Sequence, residues 1–191
     1  MNKIIIGISG ASGAIYGVEL LKALKAENIE THLVISKTGQ ITIAHETAYS
    51  VAEVQKLADH FYSAHDLAAL MSSGSFKTIG MIIAPCSMRT LAEIASGNTT
   101  TLLTRAADVC LKERRRLVLL ARETPLTLSH IRNMETVTLM GGIIAPPVPA
   151  FYSKPASLQD MVNHTVGRVM DLFNIEHAAL KRWAGCEKAI D

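Results

Sequence analysis

The stretch KIIIGISGASGAIYGVELLKAL, residues 3–24, joins two patterns that demand different structures. Residues 3–9 form a nearly unbroken apolar run rich in isoleucine, which reads as a strand buried on both faces. From residue 14 onward, Val18, Leu21 and Leu24 recur at helical spacing. Glycines at 7, 10, 13 and 17 crowd the junction. A strand, a glycine-rich turn and a helix make the opening unit of a parallel α/β domain. Such a turn lets the backbone approach a phosphate closely, at the positive end of the helix that follows. The turn is not G-x-G-x-x-G, and it lacks the G-K-[ST] of a P-loop.

The same alternation continues along the chain. Strands are expected at THLVIS (31–36), MIIAP (81–85), LVLLA (117–121) and GIIAP (142–146), five in all with the first. Helices are expected over 14–28, 87–96, 102–115, 128–140 and 157–173. This predicts one Rossmann-like, doubly wound parallel sheet in a three-layer α/β domain spanning residues 1–191. Residues 37–75 read as loosely patterned helix, with SSGS (72–75) as a loop. The proline-rich APPVPAFYSKP (145–155) reads as a rigid loop lining a site.

Composition narrows the function. The 191 residues are 49% hydrophobic and carry 19 basic and 17 acidic side chains. A net charge of +2 gives no reason to expect nucleic acid or a membrane surface as a partner. No apolar run reaches the ~18 residues of a membrane helix, and no signal-peptide pattern opens the chain. Cys86, Cys110 and Cys186 show neither a disulfide framework nor zinc spacing. The seven histidines show no ligand spacing either, so no metal is expected. A cytoplasmic protein fits these features.

In an open α/β sheet, ligands bind beyond the carboxyl ends of the strands. Ser12 adds a hydroxyl to the glycine turn. Strand two ends in Ser36-Lys37, where an NAD site expects an acidic residue. That leaves NADP as a minor reading and suits the single phosphate of FMN. Ser87 and Thr90, after strand three, serve equally well as a helix cap or as ligand contacts. Cys86 reads as a packed residue. Arg105, Asp108 and Lys112 share one helix face, which is either solvated or a phosphate clamp. Arg114, Arg115 and Arg116 read as surface. Glu46 lies in HET (45–47), but Tyr49 rules out H-E-x-x-H. It becomes an acid/base candidate only if the fold brings it to the site. Tyr152 follows a proline-stiffened turn. Arg168, among Val166, Val169 and Leu172, either points inward or snorkels. Trp183 anchors the tail or faces a ligand.

Taken in order, GISGASGAIYG, HLVISK, HET, APCSMRTL, LLTRAADVCLKERR, LVLLARETP, PPVPAFY and RW resemble the UbiX/Pad-type flavin prenyltransferases, over about residues 3–183. The resemblance implies a flavoprotein-type sheet and a metal-independent enzyme. Such an enzyme joins the dimethylallyl group of dimethylallyl monophosphate to reduced FMN at N5 and C6. The product, prenylated FMN, serves a UbiD-type aromatic acid decarboxylase. It further implies a homo-oligomer, commonly a dodecamer, with sites shared between subunits and a tail (about 176–191) packed on a neighbour. By the same resemblance, Gly10, Ala11, Ser12, Ser36, Ser87, Met88, Arg89, Thr90 and Arg122 contact the flavin. Arg105, Lys112, Glu123, Tyr152 and Arg168 surround the prenyl phosphate, with Trp183 near the prenyl group. Ser12 and Glu46 match residues implicated in proton transfer. Two other functions share such a fold: an FMN-dependent decarboxylase of a thiol substrate, and a non-catalytic flavin carrier.

Overall fold

The computed structural model describes residues 2–178, 180, 182 and 185. The elements run β1 (Lys3–Ile8), α1 (Ala14–Ala26), β2 (Glu30–Ile35), α2 (Lys37–Glu46), α3 (Val51–Leu57), β3 (His60–Tyr62), β4 (Gly80–Cys86), α4 (Met88–Ala95), α5 (Leu102–Lys112), β5 (Arg116–Ala121), α6 (Leu128–Leu139), β6 (Ile143–Ile144) and α7 (Leu158–Asp171). The strands form one sheet in the order β3-β2-β1-β4-β5-β6, every pair parallel.

Alternation along each strand divides the core in two. Ile4, Ile6, Ile8, Leu33, Ile35, Ile82, Val118 and Leu120 face α1, α2, α3 and α7. Ile5, Val34, Met81, Ile83, Leu117 and Leu119 face α4, α5 and α6. Both faces are therefore covered, which is why the strands read as continuous apolar runs. Each fully buried isoleucine of β1 contributes about 1.5–3 kcal/mol relative to exposure.

Helix α1 sits unusually close to the sheet. A Cβ on Gly17 would lie 2.4 Å from the Ala84 carbonyl oxygen, so only glycine permits this approach.

Six strands are present where five were expected. The additional strand, β3, lies within the segment read as helical. It is three residues long, at the sheet edge, and two of its residues are exposed, so it carries no apolar run to betray it. The remainder of that segment does contain helices, α2 and α3. Arg115, read as surface, is partly buried: its guanidinium donates to the Phe76 and Gly74 carbonyls and holds the loop there. Among the described residues, no helix is long and apolar enough to cross a membrane.

Candidate active site

The chain steps outward from β1 through β2 to β3, then returns to β4 and proceeds the other way. The switch point is therefore the crevice between the carboxyl ends of β1 and β4. Ser9, just past β1, fastens the two turns that flank it. It is 1% exposed; its hydroxyl donates to the Pro85 carbonyl at 2.9 Å and accepts from the Ser87 N–H at 2.8 Å. Ser9 was not among the sequence candidates. The available signal was a hydroxyl placed directly after a fully apolar strand.

The other helices carry their own caps. Helices α3, α5, α6 and α7 each begin with a reciprocal capping box, at Ser50, Thr101, Thr127 and Ser157. Helix α1 does not. Its N-cap, Gly13, has φ 102° and no side chain to offer. Its leading N–H groups are met instead by Glu46, the last residue of α2. Oε2 of Glu46 accepts from Gly13 at 2.7 Å and from Ala14 at 3.3 Å. A carboxylate at a helix N-terminus is favoured by the helix dipole. The fold thus brings Glu46 to the glycine turn, one residue from Ser12. Among the described residues, the Ser12 hydroxyl has no protein partner. Gly10 lets α2 close over the turn: a Cβ there would meet the Thr38 hydroxyl oxygen at 2.3 Å.

Two further helix N-termini face the same edge. Ser36 caps α2 through the Gly39 N–H at 3.0 Å. Ser87 caps α4 through the Thr90 N–H at 3.2 Å, and its hydroxyl donates to Thr90 Oγ1. The capping reading therefore holds for Ser87, the Ser36 cap is one that the sequence reading did not anticipate, and Thr90 is buried. Met88 is half-buried, whereas Arg89 is exposed and paired with Glu93. The Arg122 backbone donates to Cys86, which holds β5 beside the β4 turn, and its exposed guanidinium makes no hydrogen bond among the described residues. Glu123 is exposed alongside, accepting from the Thr124 N–H. Cys86 is fully buried, and burial pushes its thiol far above the ordinary range, consistent with packing and not with nucleophilic chemistry.

The remaining candidates lie elsewhere. The Tyr152 hydroxyl is 3.0 Å from His164 Nε2, and the rings meet edge to face. Burial, with Arg168 nearby, holds His164 below the usual histidine range, so the neutral ring can accept the Tyr152 proton. Arg168 is half-exposed and paired with Asp171 at 2.8 Å, so it does not point into the core. His164 and Arg168, with Pro146 and Val148, line a cavity of about 190 Å³. Arg105 and Lys112 lie on α5, on the opposite face of the sheet from α7. Arg105 donates to the Ser72 carbonyl and pairs with Asp108, and Lys112 pairs with Glu113. One chain therefore does not bring all five expected phosphate contacts together. Trp183 lies outside the described residues. Of the tail, Arg182 forks onto Asp171 at 2.7 and 2.8 Å. A larger cavity, about 730 Å³, opens at the amino end of the sheet beside Arg114, Arg116 and Phe173, and none of the candidates lines it.

The flavoprotein family profile matches residues 1–170. A probable UbiX-like flavin prenyltransferase of Bacillus subtilis is 56% identical over 186 residues, covering 97% of this chain and 91% of its own. The crystal structure of AnUbiX (PadA1), in complex with FMN and dimethylallyl pyrophosphate, superposes with a TM-score of 0.96 at 51% identity, covering 97% of this chain and 99% of that one. A dodecameric FMN-dependent UbiX-like decarboxylase from Escherichia coli O157:H7 gives a TM-score of 0.94, also at 51% identity, covering 96% of this chain and all of that one. With a switch-point crevice, an acidic residue at its glycine turn and this likeness along nearly its whole length, the chain belongs to the UbiX family of flavin prenyltransferases.

Proposed function

We propose that the chain transfers the dimethylallyl group of dimethylallyl monophosphate to reduced FMN, and that the prenylated FMN so made is the cofactor of a UbiD-type aromatic acid decarboxylase. The observation that carries this reading is the seating of Glu46 on the Gly13 and Ala14 N–H groups at the α1 N-terminus, next in the chain to Ser12 and beside the switch point. The crevice suits a flavin mononucleotide. Gly10 lets Thr38 pack against the turn, Gly13 supplies its positive φ, and both the Ser12 hydroxyl and the Arg122 guanidinium are without protein partners among the described residues. Ser36 and the Ser87–Thr90 turn border the same space.

When bound, reduced flavin supplies the nucleophilic ring positions. The chain's own residues do the rest. Breaking the allylic C–O bond releases phosphate and leaves positive character on the prenyl group. Arg105, Lys112 and Arg168 take up the departing anion, with Tyr152 and Glu123 ordering the groups around it. These three cations fill the role a metal plays in other prenyl transfers. Glu46 and Ser12 accept and relay the proton lost from the flavin ring. Trp183 offers an aromatic face to the prenyl cation.

Arg105 and Lys112 lie across the sheet from Arg168, so this assignment requires that neighbouring subunits share each site. The proposal is a homo-oligomer, a dodecamer as in the E. coli relative, working in the cytoplasm.

The test is anaerobic: full-length protein, reduced FMN and dimethylallyl monophosphate, with the flavin then analysed by mass spectrometry. Flavin heavier by one prenyl group, and lost in Lys112→Ala, supports the transferase and its phosphate clamp. Unmodified flavin that remains tightly bound would move the assignment to a carrier or a thiol decarboxylase.

A further inference from the structure

At the amino end of the sheet, away from the crevice, the strand register gathers a second set of polar groups on one face. Glu30 opens β2 and His32 follows two residues later, so both side chains point the same way. His60 opens β3 and lies directly opposite His32 in the parallel register. Tyr62, two residues on, shares that face, as does Lys3, which is registered with Glu30. Linear spacing shows none of this, because the two histidines meet only through a strand pairing that the sequence does not announce.

We propose that Glu30, His32 and His60 form a binding site for one zinc ion per chain, which ties the short edge strand β3 to β2. Glu30 Oε1 lies 3.0 Å from His32 Nε2 and 3.3 Å from His60 Nε2, and one donor atom from each of the three residues fits within 4.8 Å. Zinc bonds of about 2.0–2.2 Å in tetrahedral geometry separate neighbouring donors by about 3.3–3.4 Å. The two separations from Glu30 thus already lie near this value, and the two histidine donors, within 4.8 Å of each other, close the site by a shift of the exposed His60 ring. Among His and carboxylate donors, zinc is the natural occupant, with water in the fourth position.

A second observation points the same way. His32 is 2% exposed, and its other ring nitrogen, Nδ1, lies 3.0 Å from the Tyr62 hydroxyl. An outer partner on the far nitrogen of a ligating imidazole fixes the ring and its tautomer. With Nδ1–H donating to Tyr62, the Nε2 lone pair faces Glu30 and His60. The rings of His32 and His60 stack at 4.6 Å, and Phe76 meets His32 edge-on, which leaves His32 little freedom to turn away. His60 is half-exposed and provides the way in. Lys3 Nζ, 3.3 Å from Glu30 Oε1, is the competing cation; its flexible stem lets it swing out as the divalent ion enters. Asp59, close by, is committed to Thr31 and takes no part.

The experiment uses the full-length protein, freed of metal with a chelator. Zinc is then titrated by calorimetry and cobalt(II) by visible absorption. One metal per chain is expected, with the strong absorption of a four-coordinate cobalt ion. Tyr62→Phe should lower affinity about 10–100-fold, the range typical of losing an outer partner, and His60→Asn by more than that. Lys3→Met should tighten binding, and His65→Asn, at an exposed histidine outside the cluster, should leave it unchanged. Circular dichroism confirms that each variant is folded. Absence of stoichiometric binding overturns the proposal. So does binding that survives both His60→Asn and Glu30→Gln.

Discussion

Ser9→Ala tests whether the crevice is held open by the stitch between its two turns. The substitution removes two side-chain hydrogen bonds, at 2.9 and 2.8 Å, from a residue 1% exposed. Each such bond is worth about 0.5–1.5 kcal/mol net. The two losses differ in kind. The Pro85 carbonyl keeps the Ser9 backbone N–H at 3.2 Å, so it is not orphaned. The Ser87 N–H loses the one acceptor it has among the described residues; because Ser87 is only partly buried, this adds a fraction of the about 1–3 kcal/mol cost of an unmet buried donor. A destabilisation of about 2 kcal/mol follows from these terms. For a chain of this size that is a drop of roughly 4–8 °C in melting temperature. The assay is thermal unfolding of the flavin-free protein by circular dichroism, paired with FMN titration by fluorescence. FMN affinity should fall in the same variant, because the turns of β1 and β4 lose their fixed separation. A variant that melts within about 1 °C of wild type and binds FMN normally would refute the reasoning, since it would show that the flanking strands alone set the crevice.

Glu46→Gln should keep an acceptor at the α1 N-terminus and lose only the charge, costing about 0.3–1 kcal/mol of stability. Prenyl transfer should fall much further while FMN remains bound; unimpaired turnover in mass-spectrometric assays would remove Glu46 from the proton relay. Gly10→Ala should abolish tight FMN binding and cost about 1–3 kcal/mol by overpacking, because its Cβ meets Thr38; titration and a melt check both. Mixing and reassembling two inactive variants, Lys112→Ala and Arg168→Ala, should restore measurable transfer if subunits share each site. No recovery from mixed oligomers would confine the site to one chain. Acid should destabilise the protein through His32 and His164, both held below the usual histidine range chiefly by burial. Below about pH 6.5 the unfolded chain binds protons that the folded chain refuses, so stability falls as pH falls. His164→Asn should flatten that slope in denaturant titrations between pH 5 and 7, roughly the span over which histidine titrates.

The sheet and its flanking helices were legible because burial on both faces leaves each central strand as an unbroken apolar run, as in MIIAP and LVLLA. Strand β3 was not, since an edge strand of His, Phe and Tyr buries too little to impose a pattern. The glycine turn and the Ser87 cap were readable from local chemistry. Glu46 and Ser9 depend on tertiary structure: one is delivered by the far end of α2, the other by a contact across the switch point. Spacing on α5 correctly placed Arg105 and Asp108 on one face, where they pair. It could not show that this face lies across the sheet from Arg168.

The closeness of α1 to the sheet at Gly17 has a consequence for how a ligand is received. The separation between the anion-favouring end of α1 and the β4 turn is set by hard contact of backbone atoms, not by side-chain torsions. A torsion can relax and a van der Waals contact cannot, so the mouth of the crevice has few soft degrees of freedom. A ligand entering it gives up its own disorder but asks almost none of the protein. The cost of shaping this part of the crevice was met when the chain folded, and more of the ligand's binding energy stays available for later steps.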